Sequence, residues 1–165
     1  NDLLIHHLRR ADRPMDPAIL PKARNYCARQ ERAQQEVRDK LYAWGAHQGE
    51  VESAIAQLIG EGYLNEARFA EHFAVSKFRQ KGWGRRKIEA ALKMRRVSGP
   101  CITLGLKAID NDEYEQVLLD AIRKRADRSM DTDPFIRRGK LVRYFLGKGY
   151  SMDQVERALK SLVDA

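Results

Sequence analysis

Three stretches of the chain share one spacing of apolar residues: EVRDKLYAWGAHQGEVESAIAQL (36–58), KIEAALKMRRVSGPCITLGLKAI (87–109) and KLVRYFLGKGYSMDQVERALKSL (140–162). From the anchors Val37, Ile88 and Leu141, apolar residues recur 4, 14, 18 and 21 positions on. These positions hold Leu41, Leu92 and Phe145; Val51, Ile102 and Val155; Ile55, Leu106 and Leu159; and Leu58, Ile109 and Leu162. Steps of four and three on either side of a break predict a pair of amphipathic helices in each copy.

The predicted helices carry residues that suit their ends. Gly45 and Gly149 fall where the first helix of a pair must stop, and glycine adopts the left-handed conformation found there at little cost. Ser151 followed by Gln154 forms a capping box that starts the last helix. Asn65 can cap the helix that follows it.

One further helical stretch precedes each pair, so the sequence predicts three tandem three-helix repeats. These leading helices are expected at 22–30, 65–80 and 112–128. The fold class is therefore all-α, with about nine helices and no strand, in an elongated array that such repeats can bend into a curve. The expected divisions are an N-terminal extension (1–20), whose second half is a linker marked by Pro14, Pro17 and Pro21, and repeats at 21–64, 65–111 and 112–165.

The composition excludes several classes of protein. Apolar residues make up 43% of the 165 residues, too many for a disordered chain, and no apolar run is long enough to cross a membrane. Cys27 and Cys101 are far apart and outside any Cys-x-x-Cys pair, which favours a reducing compartment over a disulfide framework or zinc site. We therefore expect a cytoplasmic protein.

The net charge of +8 is concentrated in one place. The segment KFRQKGWGRRKIEAALKMRR (77–96) holds nine basic residues and one acid, while the remainder of the chain is neutral. We refer to residues 77–96 as the basic segment. An excess of positive charge indicates an acidic partner, of which nucleic acid is the commonest.

Two interpretations of the basic segment are open: a solvated helix face, or a site for phosphate or carboxylate groups. Arg85, Arg86 and Lys87 fall in the first turn of their helix, where the helix dipole disfavours cations. This placement favours the second interpretation, because free amides at a helix start bind anions. The predicted contact residues are Lys77, Arg79, Lys81, Arg85, Arg86, Lys87 and Lys93. The third repeat carries a weaker second patch, formed by Arg137, Arg138, Lys140 and Arg143.

Trp83 lies at the corner between the two basic helices, between Gly82 and Gly84. Its ring could stack on a base or on a partner side chain. A tryptophan at such a corner is more often a packing residue, and we favour that interpretation.

No catalytic constellation is visible in the sequence. His6 and His7 are adjacent and would point in different directions on a helix, while His47 and His72 are isolated. Phosphate-binding loops, nucleophile elbows and zinc-protease motifs are missing. We therefore expect a non-enzymatic protein with no catalytic residues, no cofactor and no metal.

The middle of the chain closely resembles the RecX family. The stretches GYLNEARFAEHF and KGWGRRKIEAALKMRRVS carry the family's recurrent residues, here Gly62, Tyr63, Asn65, Arg68, Phe69, Ala70, Phe73, Gly84, Lys87, Ile88 and Leu92. The similarity covers roughly residues 22–165 and is faintest in the third repeat. The proline-containing start has no counterpart in the family pattern.

The resemblance implies three three-helix repeats and a regulator of the recombinase RecA. Such a protein lies in the groove of the RecA–DNA filament and most often inhibits ATP hydrolysis, recombination and co-protease activity in DNA repair and the SOS response. The expected partners are RecA and single- or double-stranded DNA, contacted through phosphates by a monomer. The alternatives are a sequence-specific helix-turn-helix transcription factor and a helical scaffold for another acidic protein.

Overall fold

The computed structural model describes residues 14–164, and this range contains nine helices and no strand. The helices are α1 (Ile19–Arg29), α2 (Gln34–Ala43), α3 (Gln48–Gly60), α4 (Glu66–Lys81), α5 (Arg85–Met94), α6 (Gly99–Lys107), α7 (Asn111–Asp127), α8 (Pro134–Lys148) and α9 (Met152–Val163). The predicted all-α class is confirmed. Most of the predicted N-terminal extension, residues 1–13, lies outside the described residues.

The predicted helix ends are confirmed at four positions. Gly45 and Gly149 have φ angles of 98° and 102°, in the left-handed region that glycine adopts readily. The Asn65 side chain accepts a hydrogen bond from the Arg68 amide at 2.9 Å. Ser151 accepts from the Gln154 amide at 3.2 Å, and the Gln154 side chain accepts from the Ser151 amide at 3.0 Å.

The first helix starts earlier than the pattern predicts. It begins at Ile19 instead of Lys22, and the buried side chain of Ile19 joins the apolar core. Pro21 therefore lies in the first turn of α1, where its missing amide hydrogen costs no helical hydrogen bond.

The chain divides into two compact units, with the boundary between Phe69 and Ala70 inside α4. Unit 1 has a core of apolar side chains from α1, α2 and α3, closed by Leu64. Arg24 on α1 donates two hydrogen bonds of 2.7 Å to the carboxylate of Glu61, just after α3. In unit 1, buried apolar side chains and the ion pair between Arg24 and Glu61 therefore both join the first helix to the end of the third.

Unit 2 contains the second and third helical pairs. Its core includes a series of aromatic rings, in which Phe78 lies 5.6 Å from Tyr114 and Tyr114 lies 5.1 Å from Tyr150, between ring centroids. Phe78 lies in the last turn of α4, Tyr114 is on α7 and Tyr150 follows α8. These contacts join the second and third copies of the repeat in one core.

The apolar spacing that predicted the repeats coincides with the buried residues. Of the aligned apolar positions, Leu106, Leu159 and Leu162 are half-buried and all the others are buried. The periodic pattern therefore identified the inward faces of α2, α3, α5, α6, α8 and α9. Among the described helices, none is both long and apolar enough to cross a membrane.

Candidate nucleic-acid and partner interface

The basic segment covers the end of α4, the corner at 82–84 and the whole of α5. Arg85, Arg86 and Lys87 occupy the first turn of α5, as predicted. The N-terminus of α5 meets the C-terminus of α8. The Gly84 amide donates to the Lys148 carbonyl at 2.8 Å, and the Arg86 amide donates to the Gly149 carbonyl at 3.0 Å.

Arg85 has a structural position in this corner. Its guanidinium donates to the carbonyl of Ile109 at 3.0 Å and to the side chain of Asn111 at 2.8 Å. It also lies 4.1 Å from the centroid of the Tyr114 ring, while the Arg85 amide donates to the Tyr114 hydroxyl at 3.0 Å. Arg85 thus holds the chain after α6, where the carbonyls at a helix end favour a cation.

The prediction of free amides in this first turn is wrong for Arg85 and Arg86. Both amides already donate to groups of the chain itself, a hydroxyl and a carbonyl. The repulsive placement of cations at the start of α5 is offset by the carbonyl end of α8 and by the carbonyls after α6. An external anion is not required to explain it.

Trp83 is half-buried and lies beside two cations. The Lys77 ammonium lies 5.2 Å from the Trp83 ring centroid and the Lys87 ammonium lies 4.7 Å from it. Lys77 also lies 5.4 Å from the Phe73 ring. Since an indole ring attracts cations over its face, Trp83 holds Lys77 and Lys87 close to each other.

Two further predicted contact residues form ion pairs. Arg79 makes a pair with Glu113 at 3.1 Å, and Lys93 makes a pair with Glu89 at 3.1 Å. Hydrogen bonding to Glu113 raises the pKa of the Arg79 guanidinium. All four side chains are at least one-third exposed, so each pair contributes little to stability and can be exchanged for a partner.

Lys81 and Arg86 are exposed, and in residues 14–164 neither side chain forms an ion pair. Arg79 and Lys93 are exposed as well, although each is ion-paired. The structure thus divides the predicted set into four exposed cations and three half-buried ones, and the half-buried Lys77, Arg85 and Lys87 contact aromatic rings or backbone carbonyls.

A second basic surface, which the sequence prediction did not include as a site, lies in unit 2. A cleft of about 530 Å³ is bounded by α7 and α8; we call it the α7–α8 cleft. Its lining contains seven basic residues and one acid: Lys81, Lys124, Arg125, Arg128, Arg137, Lys140 and Lys148, with Asp131. Of these, only Lys81 belongs to the basic segment.

A signal for this cleft was present in the sequence. Arg137, Lys140, Tyr144 and Lys148 recur at steps of three and four and so share one face of a helix. Residues 137–148 hold five basic residues and no acid, although the third repeat as a whole (112–165) is nearly neutral, with 11 basic and 10 acidic residues. Charge summed over the whole repeat therefore understates a surface that appears when charge is assigned to helix faces.

The part of the chain that the structure describes contains no group of three or more His, Cys, Asp or Glu side chains placed to hold a metal ion. Cys27 is buried, and burial raises the pKa of its thiol to about 11. A thiol with such a pKa is a poor nucleophile at neutral pH.

Comparison with known proteins gives consistent matches along the chain. Family models described as the first, second and third three-helix domains of RecX match residues 22–58, 65–106 and 112–159. A regulatory protein RecX from Pseudomonas fluorescens is 33% identical over 143 residues, covering 86% of this chain and 90% of the relative. One from Ectopseudomonas mendocina is 31% identical over 150 residues, covering 90% and 96%.

Solved structures agree with the fold. The crystal structure of RecX from Lactobacillus salivarius superimposes with a TM-score of 0.83 at 21% identity, covering 90% of this chain and 96% of that one. A crystal structure of a regulatory protein RecX gives a TM-score of 0.76 at 17% identity, covering 97% and 78%. Three consecutive domain matches and relatives above 30% identity over most of their length establish the assignment: the chain belongs to the RecX family of regulatory proteins.

Proposed function

We propose that this protein binds RecA filaments on DNA and inhibits the ATPase, recombinase and co-protease activities of RecA. The observation that carries the proposal is the match of all three RecX three-helix domains, in order, from residue 22 to residue 159. In this proposal the protein acts by binding, as a monomer in the cytoplasm, without catalysis or a cofactor.

The exposed cations of the basic segment are the proposed contact surface. Lys81, Arg86 and Lys93 would meet acidic groups of RecA or DNA phosphates. Lys77 and Lys87 would contribute charge from fixed positions beside Trp83. Arg85 has partners within the chain, so we assign it a positioning role. Arg79 and Lys93 would each exchange an exposed ion pair, with Glu113 and Glu89, for a contact with the partner.

A titration of this protein into RecA that is hydrolysing ATP on single-stranded DNA tests the proposal. We expect strong inhibition at concentrations below that of RecA, because a regulator in a filament groove affects more than one RecA subunit. The absence of any effect at equimolar protein and low salt would exclude the proposed regulation of RecA.

A pair of matched variants tests the contact surface in the same assay. Arg86→Glu combined with Lys93→Glu should weaken inhibition at moderate salt. Arg29→Glu combined with Lys107→Glu makes the same change in net charge at exposed residues outside the basic segment, and should inhibit as the unmodified protein does. Equal loss in the two double variants would assign the effect to net charge and remove the basic segment from the contact surface.

A further inference from the structure

We propose that the α7–α8 cleft binds the sugar–phosphate backbone of a single-stranded nucleic acid, without reading its bases. The inference deepens the proposed function and rests on it for its biological setting, since RecA filaments carry a DNA strand. It places a strand-binding site in the third repeat, largely on residues outside the basic segment.

The first argument for a phosphate-binding site is the excess of positive charge in the cleft. Seven cations line it against one carboxylate, and that carboxylate, Asp131, is paired with the Lys140 ammonium at 3.0 Å. Lys124, Arg125 and Arg128 come from the end of α7, and Arg137, Lys140 and Lys148 come from α8. Cations brought together from two helices repel one another, and a bound polyanion would relieve that repulsion.

The cations are arranged as a row. Arg137, Lys140 and Lys148 lie on one face of α8, and at 1.5 Å per residue the row is about 16 Å long. A strand carries one phosphate per nucleotide, spaced by roughly 3.4 Å along the axis in a duplex and further apart when the strand is extended, so a row of this length faces more than one phosphate. A single small anion would use only part of it. The volume of about 530 Å³ is typical of a pocket for one ligand, which suits one strand better than a duplex.

The Tyr144 ring orients the guanidinium of Arg125, and that guanidinium occupies a face of the ring that a base could otherwise stack on. The Arg125 guanidinium lies 3.4 Å from the Tyr144 ring centroid. Stacking of this kind fixes the guanidinium plane, which lowers the entropy lost when its N–H groups bind phosphate oxygens. Since Arg125 covers one face of the Tyr144 ring and Phe145 is buried, the cleft lining is dominated by phosphate donors. Recognition should therefore be independent of base sequence.

An acidic polypeptide is the main competing ligand, and the lining favours it less. Peptide recognition usually depends on apolar anchor side chains seated in apolar pockets. In this cleft Leu141 and Phe145 are already buried, and Met130 is the strongly exposed apolar side chain. The remaining surface is dominated by Lys and Arg head groups, which suit a ligand with a charge on every unit.

The test measures fluorescence anisotropy of a fluorescein-labelled oligothymidylate with the whole protein, in the absence of RecA, over a range of salt concentrations. Lys124→Gln with Arg128→Gln removes two exposed cations of the cleft. Arg123→Gln with Arg143→Gln removes two exposed cations from the same two helices but outside the cleft lining. Both double variants lose the same charge, and circular dichroism checks that each retains its helicity.

We expect the affinity of the cleft variant for the oligonucleotide to be lower by a factor of about ten or more. Its plot of log affinity against log salt should be shallower by about 1.4, which is about 0.7 for each lost phosphate contact on a single strand. The matched control should keep both affinity and slope. The inference is overturned if the two variants weaken binding equally, if the wild type does not bind at low salt, or if poly-L-glutamate binds more tightly with the same dependence on Lys124 and Arg128.

The RecA ATPase assay separates this inference from the proposed function. If the protein binds the oligonucleotide through the cleft but leaves RecA unaffected, the regulatory proposal is excluded and the cleft is supported as a strand-binding site. Normal inhibition of RecA without cleft-dependent oligonucleotide binding would overturn the cleft and leave the regulatory proposal intact.

Discussion

Gly84 and Gly149 touch through their backbones at the corner where α8 ends and α5 begins. A Cβ atom added to Gly84 would lie 2.3 Å from the Gly149 carbonyl carbon, and one added to Gly149 would lie 2.5 Å from the Lys87 Cβ. The contact allows the amides of Gly84 and Arg86 to reach the last carbonyls of α8. The missing side chains therefore permit two helix ends to satisfy each other's free backbone groups.

Replacing Gly84 with alanine should destabilise the protein by about 3 kcal/mol, because backbone cannot move aside as easily as a flexible side chain. The matched control is Gly139→Ala within α8, where an added Cβ meets nothing within 4 Å. We expect that control to be neutral or to stabilise by up to about 1 kcal/mol, since alanine favours a helix interior. Urea unfolding measures both. Equal stabilities for the two variants would show that the glycine contact can relax.

Arg85 and Arg86 are adjacent, yet their replacement by alanine should have different effects. Arg85→Ala removes the hydrogen bonds to Ile109 and Asn111 and should cost about 2 kcal/mol. Arg86→Ala removes an exposed side chain and should change stability by no more than about 0.5 kcal/mol. Thermal unfolding followed by circular dichroism distinguishes them. A charge-reversal variant that includes Arg85 would therefore combine a loss of partner binding with a loss of stability.

Alkaline pH should weaken unit 2 through Tyr150. Burial raises the pKa of its hydroxyl above the ordinary value of 10.0, and the hydroxyl donates to the Gly82 carbonyl at 3.0 Å. Because the folded chain favours the neutral phenol, this contribution to stability is complete below about pH 10. It is lost as the pH rises from there through the folded pKa.

Urea unfolding from neutral pH to about pH 11 measures that loss. Tyr150→Phe should be about 1 kcal/mol less stable at neutral pH, because the hydrogen bond is missing, and should lose less stability on the alkaline side. Burial also raises the pKa of Tyr114, so some alkaline loss should persist in the variant. Tyr42→Phe, at an exposed position, should keep the alkaline slope of the unmodified protein. A Tyr150→Phe variant with that same slope would contradict the assignment.

Cys27 should be protected from thiol reagents in the folded protein. Burial raises the pKa of its thiol to about 11, and the thiolate is the reactive form. In a Cys101→Ser variant, where Cys27 is the remaining cysteine, labelling with a chromogenic disulfide should be slow in buffer and fast in urea. Fast labelling in buffer would show that the core around Cys27 opens readily.

The repeats could be predicted from the sequence because their signal is local. The spacing of Val37, Leu41 and Val51, and of their counterparts, depends only on the helical period and on which face is buried. Caps at Asn65 and Ser151 are likewise formed within one helical turn. Such features need no knowledge of which helices meet.

The corner at Gly84 could not be predicted, because it depends on a meeting of residues far apart in the chain. The dipole argument indicated an external anion at the first turn of α5, whereas the amides there meet the carbonyls of residues 148 and 149. For a related reason the sequence indicated a weaker basic patch in the third repeat without the cations that α7 contributes to the α7–α8 cleft. The pairing of two helices decides which cations share a surface.

The dependence of α5 on the end of α8 has a consequence for how the chain is made. More than sixty residues separate Gly84 from the Lys148 carbonyl that its amide reaches. At ribosomal rates of about 5–20 residues per second, the N-terminus of α5 waits several seconds for that carbonyl to be synthesised. A nascent chain that ends before Gly149 therefore has a cationic helix end at α5 without the carbonyls that offset its charge.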